Sequence, residues 1–502
     1  MGKPTRKFWL AAGPVAAWAV MLLLDLQPGK PGVTRMAGMS VWLAIWWVAE
    51  PVPLAVTALV PLVMFPLLGL VSSTELAPVY LDQVSFLFIG GFLVALTIER
   101  WGLNQRLALR TLLAFGGTPT RILLGFLTAT ALISMWMSNT AAALVMLAPA
   151  LAVIGRLEAR DGAEPVRPLA VALLLAVAYG ASIGGVGTLV GTPTNLVFVR
   201  QLKVFFPHSP ELSFLGWLKI GVPLVVVMTL LAWGVLWFLY VRKLTLAPLE
   251  RRVLAEQYAA LGPATYEQKV IMVVATAMTA LWVCRSDINF GAFTFPGWSS
   301  VRWLQPKMLS DSVVAMAAAL VLLLWPSRSE RGRPLLTWAE AERLPWGIVI
   351  LFGGGFALAK GFTASGLDKW LGGQLSGHAN LTPLTMALIV SLSLVFLTEF
   401  TANTSTVEMV LPVLAVASVA LGVNPLFLLL PATLCASFGF MLPAGTPPNA
   451  MAFASGRMTV AQMARTGFLL NLTGAVLATV AVLTWGRYAL GGDLLQLPTW
   501  AR

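Results

Sequence analysis

An all-helical, polytopic membrane protein is the fold class this chain predicts, and three observations predict it. Hydrophobic residues make up 58% of its 502 residues and charged residues 11%, where ordinary soluble domains carry about 25% charge; mean hydropathy is +0.83. Apolar runs recur near the roughly 20 residues that a helix needs to cross a bilayer. Lastly, a short polar pattern that breaks helices occurs twice, at matching points of two apolar halves.

The clearest apolar runs are Trp9 to Leu24, Val52 to Leu70, Leu169 to Val190, Ile220 to Val241, Val270 to Cys284, Val313 to Trp325 and Phe468 to Trp485. With the less continuous stretches they make about eleven spans plus two segments with polar centres. The first 25 residues have a basic start and a long apolar run without a clear cleavage site, which predicts a retained first span. The formal net charge of +12 does not point to nucleic acid, because the basic residues sit in short loops between apolar runs. Such loops orient the chain with their positive charge in the cytoplasm. They are the Lys3 to Lys7 start, Arg100 to Arg121, Arg156 to Arg167, Arg242 to Arg252 and Arg328 to Arg333.

Ile122 to Ile154 is flanked by two of these basic loops, so it enters and leaves on one face as a re-entrant helical hairpin with Ser138-Asn139-Thr140 near its midpoint. Non-helical backbone at that depth is tolerated only inside protein or against a water-filled cavity. Leu384 to Leu421 is the second hairpin, with Asn403 at its tip, entering from the opposite face. Cys284 and Cys435 lie in apolar runs and read as reduced core residues. Asp287 to Ser310, rich in Gly, Pro and Trp, reads as an extracytoplasmic loop with short helices.

The duplication is close to register. Asn139 and Asn403 are 264 residues apart, and the same offset carries Phe88-Ile89-Gly90-Gly91-Phe92 onto Phe352-Gly353-Gly354-Gly355-Phe356. Gly191-Thr192-Pro193-Thr194-Asn195 and Gly445-Thr446-Pro447-Pro448-Asn449 are 254 apart. Matching segments run in opposite directions by the charge assignment, which makes an inverted repeat. Interrupted helices at corresponding points of two such halves point to the binding site of a secondary transporter.

The chemistry follows from the tips. Backbone N–H groups freed at half-helix N-termini, with their positive dipole ends, suit an anion, and the hydroxyl and amide groups of Ser138, Asn139 and Thr140 add directed donors. Asn139 can donate and accept, so it can serve an anion and a cation together. Ser134 lies one turn earlier on the same helical face. Pro193 frees upstream carbonyls, which places the Gly191 carbonyl and the Thr192 hydroxyl beside the tip. The same reasoning gives a second site from Thr398, Thr401, Asn403, Gly445 and Thr446. Hydroxyl, amide and carbonyl oxygens of this kind suit a hard cation such as sodium, so two cation sites bracket one anion.

On Ser138-Asn139-Thr140, Thr398-Glu399-Phe400-Thr401-Ala402-Asn403-Thr404 and the two Gly-Thr-Pro elements, together with Pro51 to Leu59 and Ala436 to Asn449, the chain resembles the divalent anion/sodium symporter family of dicarboxylate, citrate and sulfate transporters. The resemblance implies a homodimer in the plasma (inner) membrane, each protomer with a fixed scaffold and a transport domain that moves like an elevator. It divides the chain into scaffold helices at 1–115 and 269–375, transport segments at 116–244 and 376–502, and a cytoplasmic linker at 245–268. It implies a first sodium site from Ser134, Ser138, Asn139 and Gly191 and a second from Thr398, Thr401, Asn403 and Gly445. Substrate carboxylates then meet Ser138, Asn139, Thr192, Asn403, Thr404 and Thr446, with Thr140 completing the first tip. No cofactor is implied beyond sodium as coupling ion.

The chain departs from the family at Ala402, where serine is usual, so one hydroxyl donor to the anion is missing. Intramembrane charges are costly and mark function. Glu399 reads as orienting the second hairpin through hydrogen bonds. Glu408 reads as facing a polar cavity, with a proton carrier as the other reading, and Arg100 and Lys360 as snorkelling to the interface. The expected activity is sodium-coupled import of C4 dicarboxylates such as succinate, malate or fumarate. Sulfate or citrate symport and sodium-independent exchange are the alternatives within transport. A membrane-embedded enzyme is disfavoured, because His208 and His378 lie outside the motifs and supply no metal pair or Ser-His arrangement.

Overall fold

The computed structural model describes residues 3–248, 251–289, 293–300, 308–376 and 382–501. The first half supplies α1 (Lys3–Leu23), α2 (Pro31–Ala49), α3 (Leu54–Leu67), α4 (Ser73–Tyr80), α5 (Gln83–Arg100), α6 (Leu103–Phe115), α7 (Pro119–Ser134), α8 (Asn139–Asp161), α9 (Ala163–Gly185), α10 (Pro193–Phe205) and α11 (Phe214–Leu236). The linker contains α12 (Arg251–Ala260). The second half supplies α13 (Tyr266–Val283), α14 (Asp311–Leu324), α15 (Trp338–Ala341), α16 (Trp346–Ser365), α17 (Leu367–Ser376), α18 (Pro383–Leu397), α19 (Asn403–Ala420), α20 (Pro425–Cys435), α21 (Pro447–Ala454), α22 (Val460–Ala481) and α23 (Arg487–Leu490). α11 and α22, the last long helices of each half, both run on into a π-helical turn, Trp237–Val241 and Val482–Gly486. The loop after α13 holds a two-stranded antiparallel ribbon, β1 (Ile288–Asn289) and β2 (Thr294–Phe295), and a 3-10 turn at Trp298–Ser300.

Among the described residues, seven helical stretches are long and apolar enough to cross a membrane, with five apolar helices of 10–17 residues beside them. Three of those five, α7, α18 and α20, are short because each stops at a polar interruption. Both hairpins start alike. Thr118 and Thr382 cap the helices through Arg121 N and Thr385 N, and a proline follows each at the first helical position. A threonine acceptor and a proline without an N–H remove two of the orphaned donors of a helix start.

The two halves interlock. Phe88 and Phe352, which the 264-residue offset relates, meet edge to face with ring centroids 5.2 Å apart. Gly90 of α5 presses on the second half's α14, where an added Cβ would lie 2.7 Å from Ala315 Cβ. Its counterpart Gly354 of α16 presses on the first half's α3, where an added Cβ would lie 2.5 Å from Ala58 Cβ. Each glycine-rich helix therefore needs its glycine for close approach to the other half. A smaller core of buried side chains is drawn from Val33 to Leu76 and Leu351 to Leu367 alone, and the larger core surrounds α9. Every residue of α9 from Leu169 to Gly185 is buried, as befits a helix that is apolar all round.

The basic loops collect at one end of the bundle. Arg100 grips Glu330 at 2.7 Å and Glu340 at 2.5 Å and donates to the Leu335 carbonyl, so it is engaged by protein rather than snorkelling. Arg106 bonds Gln268 and the Leu261 carbonyl, Arg160 bonds the Ala247 and Pro248 carbonyls, and Arg457 pairs with Glu158. Glu267, just before the apolar run of α13, accepts from Ser327 Oγ, Arg328 N, Ser329 N and Ser329 Oγ at 2.9–3.0 Å. Burial alone raises its pKa, but these donors outweigh burial and bring it down to about 2.

The opposite end is held by Arg285, which contacts Asp311 at 2.7 Å and Glu211 at 2.6 Å and donates to the Leu309 carbonyl. Asp311 also accepts from Phe214 N, which ties the start of α11 to the start of α14. The first hairpin opens towards the basic end: the Thr120 carbonyl accepts from Trp233, near the end of α11, and Arg160 in the last turn of α8 bonds the Ala247 carbonyl. α18 lies antiparallel to α22, with Ser391 beside Thr479 and Asn471 bonded to the Val395 carbonyl. Because the start of α22 sits at the basic end, where Tyr240 meets Thr466, the second hairpin opens the other way.

Candidate ion and anion site

Each hairpin turns through four or five residues, Met135 to Ser138 and Thr398 to Ala402, before its second arm begins at Asn139 or Asn403. Each facing helix is also broken, between Gly185 and Pro193 in one half and between Cys435 and Pro447 in the other. The two tips meet the two breaks through the same contacts. Ser134 Oγ lies 2.9 Å from Asn139 Oδ1 and 2.6 Å from the Ala181 carbonyl oxygen. Thr398 Oγ1 lies 2.7 Å from Asn403 Oδ1 and 2.7 Å from the Ala436 carbonyl oxygen. A hydroxyl has one proton, so each of these oxygen trios has one close oxygen contact that no hydrogen bond accounts for. Ser134 and Thr398 are fully buried. A dehydrated hard cation is satisfied by hydroxyl, amide and carbonyl oxygens of this set.

The breaks are braced identically. Asn195 Nδ2 donates to the Gly185 carbonyl at 3.0 Å and the Thr188 carbonyl at 2.7 Å, and Asn449 Nδ2 donates to the Gly439 and Leu442 carbonyls, both at 3.0 Å. These asparagines replace the lost intrahelical donors for carbonyls at the break, which otherwise stay buried and unpaired. Gly185 is required by proximity, since a Cβ there would overlap Asn139 Oδ1, and Gly191 is tight against Gly185. Thr194 and Ser437 hydroxyls, 3.0 Å apart, join the two breaks to each other.

The tip-to-break staple differs between the halves. In the first, Thr188 Oγ1 donates to the Met135 carbonyl at 2.5 Å. At the matching positions of the second, Glu399 accepts from Met441 N at 2.8 Å and Leu442 N at 2.9 Å, and from Asn471 Nδ2 at 2.7 Å. Glu399 thus holds the second tip against its break, in the orienting role that the sequence suggests. Gly445 lies beside it, where an added Cβ would sit 2.7 Å from Glu399 Oε2.

Asn139 Oδ1 and Asn403 Oδ1 face the hydroxyls, their Nδ2 groups carry no bond to any of the described residues, and both asparagines are partly exposed. They are free donors for an anion. Thr192 and Thr446 are buried beside the breaks, and Thr404 is partly exposed next to Asn403, while Thr140 is exposed on the first turn of α8. Ser138 caps α8 by accepting from Ala141 N at 3.2 Å. Ala402 leaves α19 without that cap, so the missing serine removes a helix cap as well as a hydroxyl. Thr401 is turned away from the trio: it donates to the Leu397 carbonyl at 2.9 Å and meets Thr406 Oγ1 at 2.6 Å.

Sequence reasoning missed Ala181, Ala436, Thr188, Asn195 and Asn449. The two asparagines were visible as the last residue of each Gly-Thr-Pro element, whereas nothing in an alanine side chain announces that its carbonyl faces a hairpin tip. Glu408 also needs correcting. It is fully buried against Gln201 of α10 and Gly355 of α16, with no polar cavity beside it, because the absent side chain of Gly355 lets α19 and α16 close completely. His378 lies outside the described residues.

The chain is similar to known proteins over most of its length. The chain is 37% identical over 486 residues to the sodium-dependent dicarboxylate transporter SdcS of Staphylococcus saprophyticus, covering 95% of this chain and 91% of that protein. It is 36% identical to SdcS of Staphylococcus aureus strain NCTC 8325, covering 97% and 92%. Among solved structures, its fold is similar to that of the YdaH transporter of Alcanivorax borkumensis, with a TM-score of 0.56, 14% identity and coverage of 86% and 89%. It is also similar to MtrF of Neisseria gonorrhoeae, with a TM-score of 0.55, 13% identity and coverage of 93% and 96%. Residues 5–491 match the family model for the sodium:sulfate symporter transmembrane region, and with its duplicated tips and breaks the chain is a multi-pass membrane transporter belonging to that family.

Proposed function

We propose that this protein imports C4 dicarboxylates with sodium by alternating access. The observation that carries the reading is the pair of oxygen trios, Ser134–Asn139–Ala181 and Thr398–Asn403–Ala436, each one proton short and each leaving an asparagine amide turned outward. Sodium at the trios fixes the asparagine oxygens, and the asparagine amides then bind the carboxylates of one anion. Each ligand lowers the free-energy cost of the tip geometry that the other needs, which is a coupling between the sites. Ser138, Thr140, Thr192, Thr404 and Thr446 supply further donors around the anion, and Gly191 and Gly445 supply backbone beside the cations. Thr401 serves the second cation only if its hydroxyl leaves Thr406.

The two hairpins opening to opposite ends support an inverted repeat. The smaller core, whose buried residues all fall in 1–115 and 269–375, supports a scaffold past which segments 116–244 and 376–502 slide as an elevator. A homodimer joined through scaffold helices in the plasma membrane is part of the same proposal. The SdcS relatives, by name, are sodium-dependent dicarboxylate transporters, which favours dicarboxylate over sulfate. Uptake of labelled succinate into proteoliposomes under an inward sodium gradient, with excess malate, citrate or sulfate as competitor, tests the substrate. Malate is expected to block uptake and sulfate to leave it intact. Block by sulfate alone would move the substrate to an inorganic oxyanion, and uptake only against preloaded dicarboxylate would make the protein an exchanger.

A further inference from the structure

Three elements meet at Glu408. It projects from α19 and is packed directly against the backbone of α16 at Gly355, where even a Cβ would overlap its carboxyl group. From α10, Gln201 Nε2 donates to Glu408 Oε2 at 2.9 Å and to the Gly355 carbonyl at 3.2 Å. Both side chains are fully buried, and two acceptor atoms are left with no donor, Glu408 Oε1 and Gln201 Oε1. Buried acceptors without donors are rare and costly. Turning the amide over does not help, because its oxygen would then face the Gly355 carbonyl and Glu408 Oε2.

One proton removes both deficits. A carboxylic acid and a carboxamide are complementary, each with one donor and one acceptor on the same edge. A proton on Glu408 Oε1 turns that atom into a donor, and the unpartnered acceptor Gln201 Oε1 belongs to the same amide that already donates to Oε2. A metal cation does not fit as well, since the carboxyl is fully buried and its Oε2 is already occupied by Gln201 Nε2 with the Gly355 backbone hard against it. Nor does a charged neighbour neutralise it. Among the elements packed on α19, α10 carries Arg200, whose guanidinium contacts Asp82 at 2.8 Å and lies over the Phe356 ring, and Lys203, which bonds the Ser209 carbonyl. α2 carries Arg35, bonded to the Leu68 carbonyl; α16 carries Lys360; α17 carries Asp368 and Lys369; and α20 offers only Cys435. Among the described residues, the one side chain that donates to the Glu408 carboxyl is Gln201.

We propose that Glu408 is a proton-binding site, held here as the neutral acid paired to Gln201, and that the transport cycle takes up and releases this proton. The second half of the proposal rests on the moving unit inferred above. Gln201 and Glu408 belong to the two segments assigned to that unit, and Gly355 to the scaffold, so sliding strips the α16 backbone from the pair and opens it to water. The protein then couples a proton as well as sodium to its anion.

The test uses the full-length protein. Infrared difference spectra of wild type and Glu408→Gln in lipid at neutral pH read the carbonyl stretch of a protonated carboxylic acid. Proteoliposomes loaded with a pH-sensitive dye read proton movement after a succinate pulse in sodium. Wild type is expected to show the acid band and a succinate-driven proton signal, and Glu408→Gln to lose both. Gln201→Leu, which keeps the acid and removes its partner, shifts the band instead of deleting it and serves if Glu408→Gln does not fold. An unchanged band in Glu408→Gln and Gln201→Leu, or a proton signal identical in wild type and Glu408→Gln, overturns the proposal. Sodium-driven succinate uptake by the same wild-type vesicles reports separately on the proposed function, which stands or falls without Glu408.

Discussion

Asn139→Ala and Asn403→Ala each lower sodium-driven succinate uptake by about ten- to a hundredfold. The range follows from the roughly 1.5–3 kcal/mol carried by a hydrogen bond to a charged group and about 1.4 kcal/mol per tenfold change in binding. Each substitution removes both roles proposed for the asparagine, the Oδ1 of a cation trio and the Nδ2 offered to the anion, so the loss is expected in the sodium dependence as well as in the rate. Ala402→Ser is the contrasting variant. It restores the missing cap of α19, stabilises the second tip by about 1 kcal/mol, and retains sodium-driven uptake. Initial rates over a range of external sodium check all three variants. Normal rates and normal sodium dependence in both Asn variants would remove the trios from the mechanism.

Arg285→Met destabilises the protein by about 3–5 kcal/mol, because it leaves a buried carboxylate without its counter-charge. The Arg285 and Asp311 side chains are only 5% and 7% exposed, and together they hold the ribbon loop, the start of α11 and the start of α14. Asp311→Asn is milder, since Arg285 keeps Glu211 at 2.6 Å and the Leu309 carbonyl at 3.0 Å. Thermal unfolding of both variants in the same detergent orders them, with Arg285→Met the lower. Equal stabilities, or a loss under about 1 kcal/mol for Arg285→Met, would show that the charges are hydrated in the membrane-bound protein.

Much of this architecture was legible in the sequence because it rests on patterns that hydropathy and helix-breaking residues write directly. The tips expected at Ser138-Asn139-Thr140 and at Asn403 are where the returning arms start, and the Gly-Thr-Pro elements are where the broken helices restart; the first arms begin at Pro119 and Pro383, slightly before the expected Ile122 and Leu384. What stayed hidden depends on tertiary approach. The carbonyls of Ala181 and Ala436 reach the hairpin tips because their helices are packed against them close to a break, and backbone atoms leave no residue-type signature. The interlock of Gly90 with Ala315 and Gly354 with Ala58 uses a glycine from one half and an alanine from the other, and local periodicity does not report which helices cross. Arg100 read as a snorkelling end residue because its partners Glu330 and Glu340 lie more than 200 positions away. Glu408 read as facing a polar cavity because an acid in an apolar helix usually has one; the glycine opposite it closes that space.

The central claim is that sodium and the anion bind through the same two asparagines. It is tested most directly by equilibrium binding of labelled succinate to the purified protein in sodium chloride and in choline chloride at equal ionic strength. The account expects succinate to bind in sodium and scarcely at all in choline, and succinate to tighten sodium binding by the factor by which sodium tightens succinate. Equal succinate affinity in the two salts would contradict it.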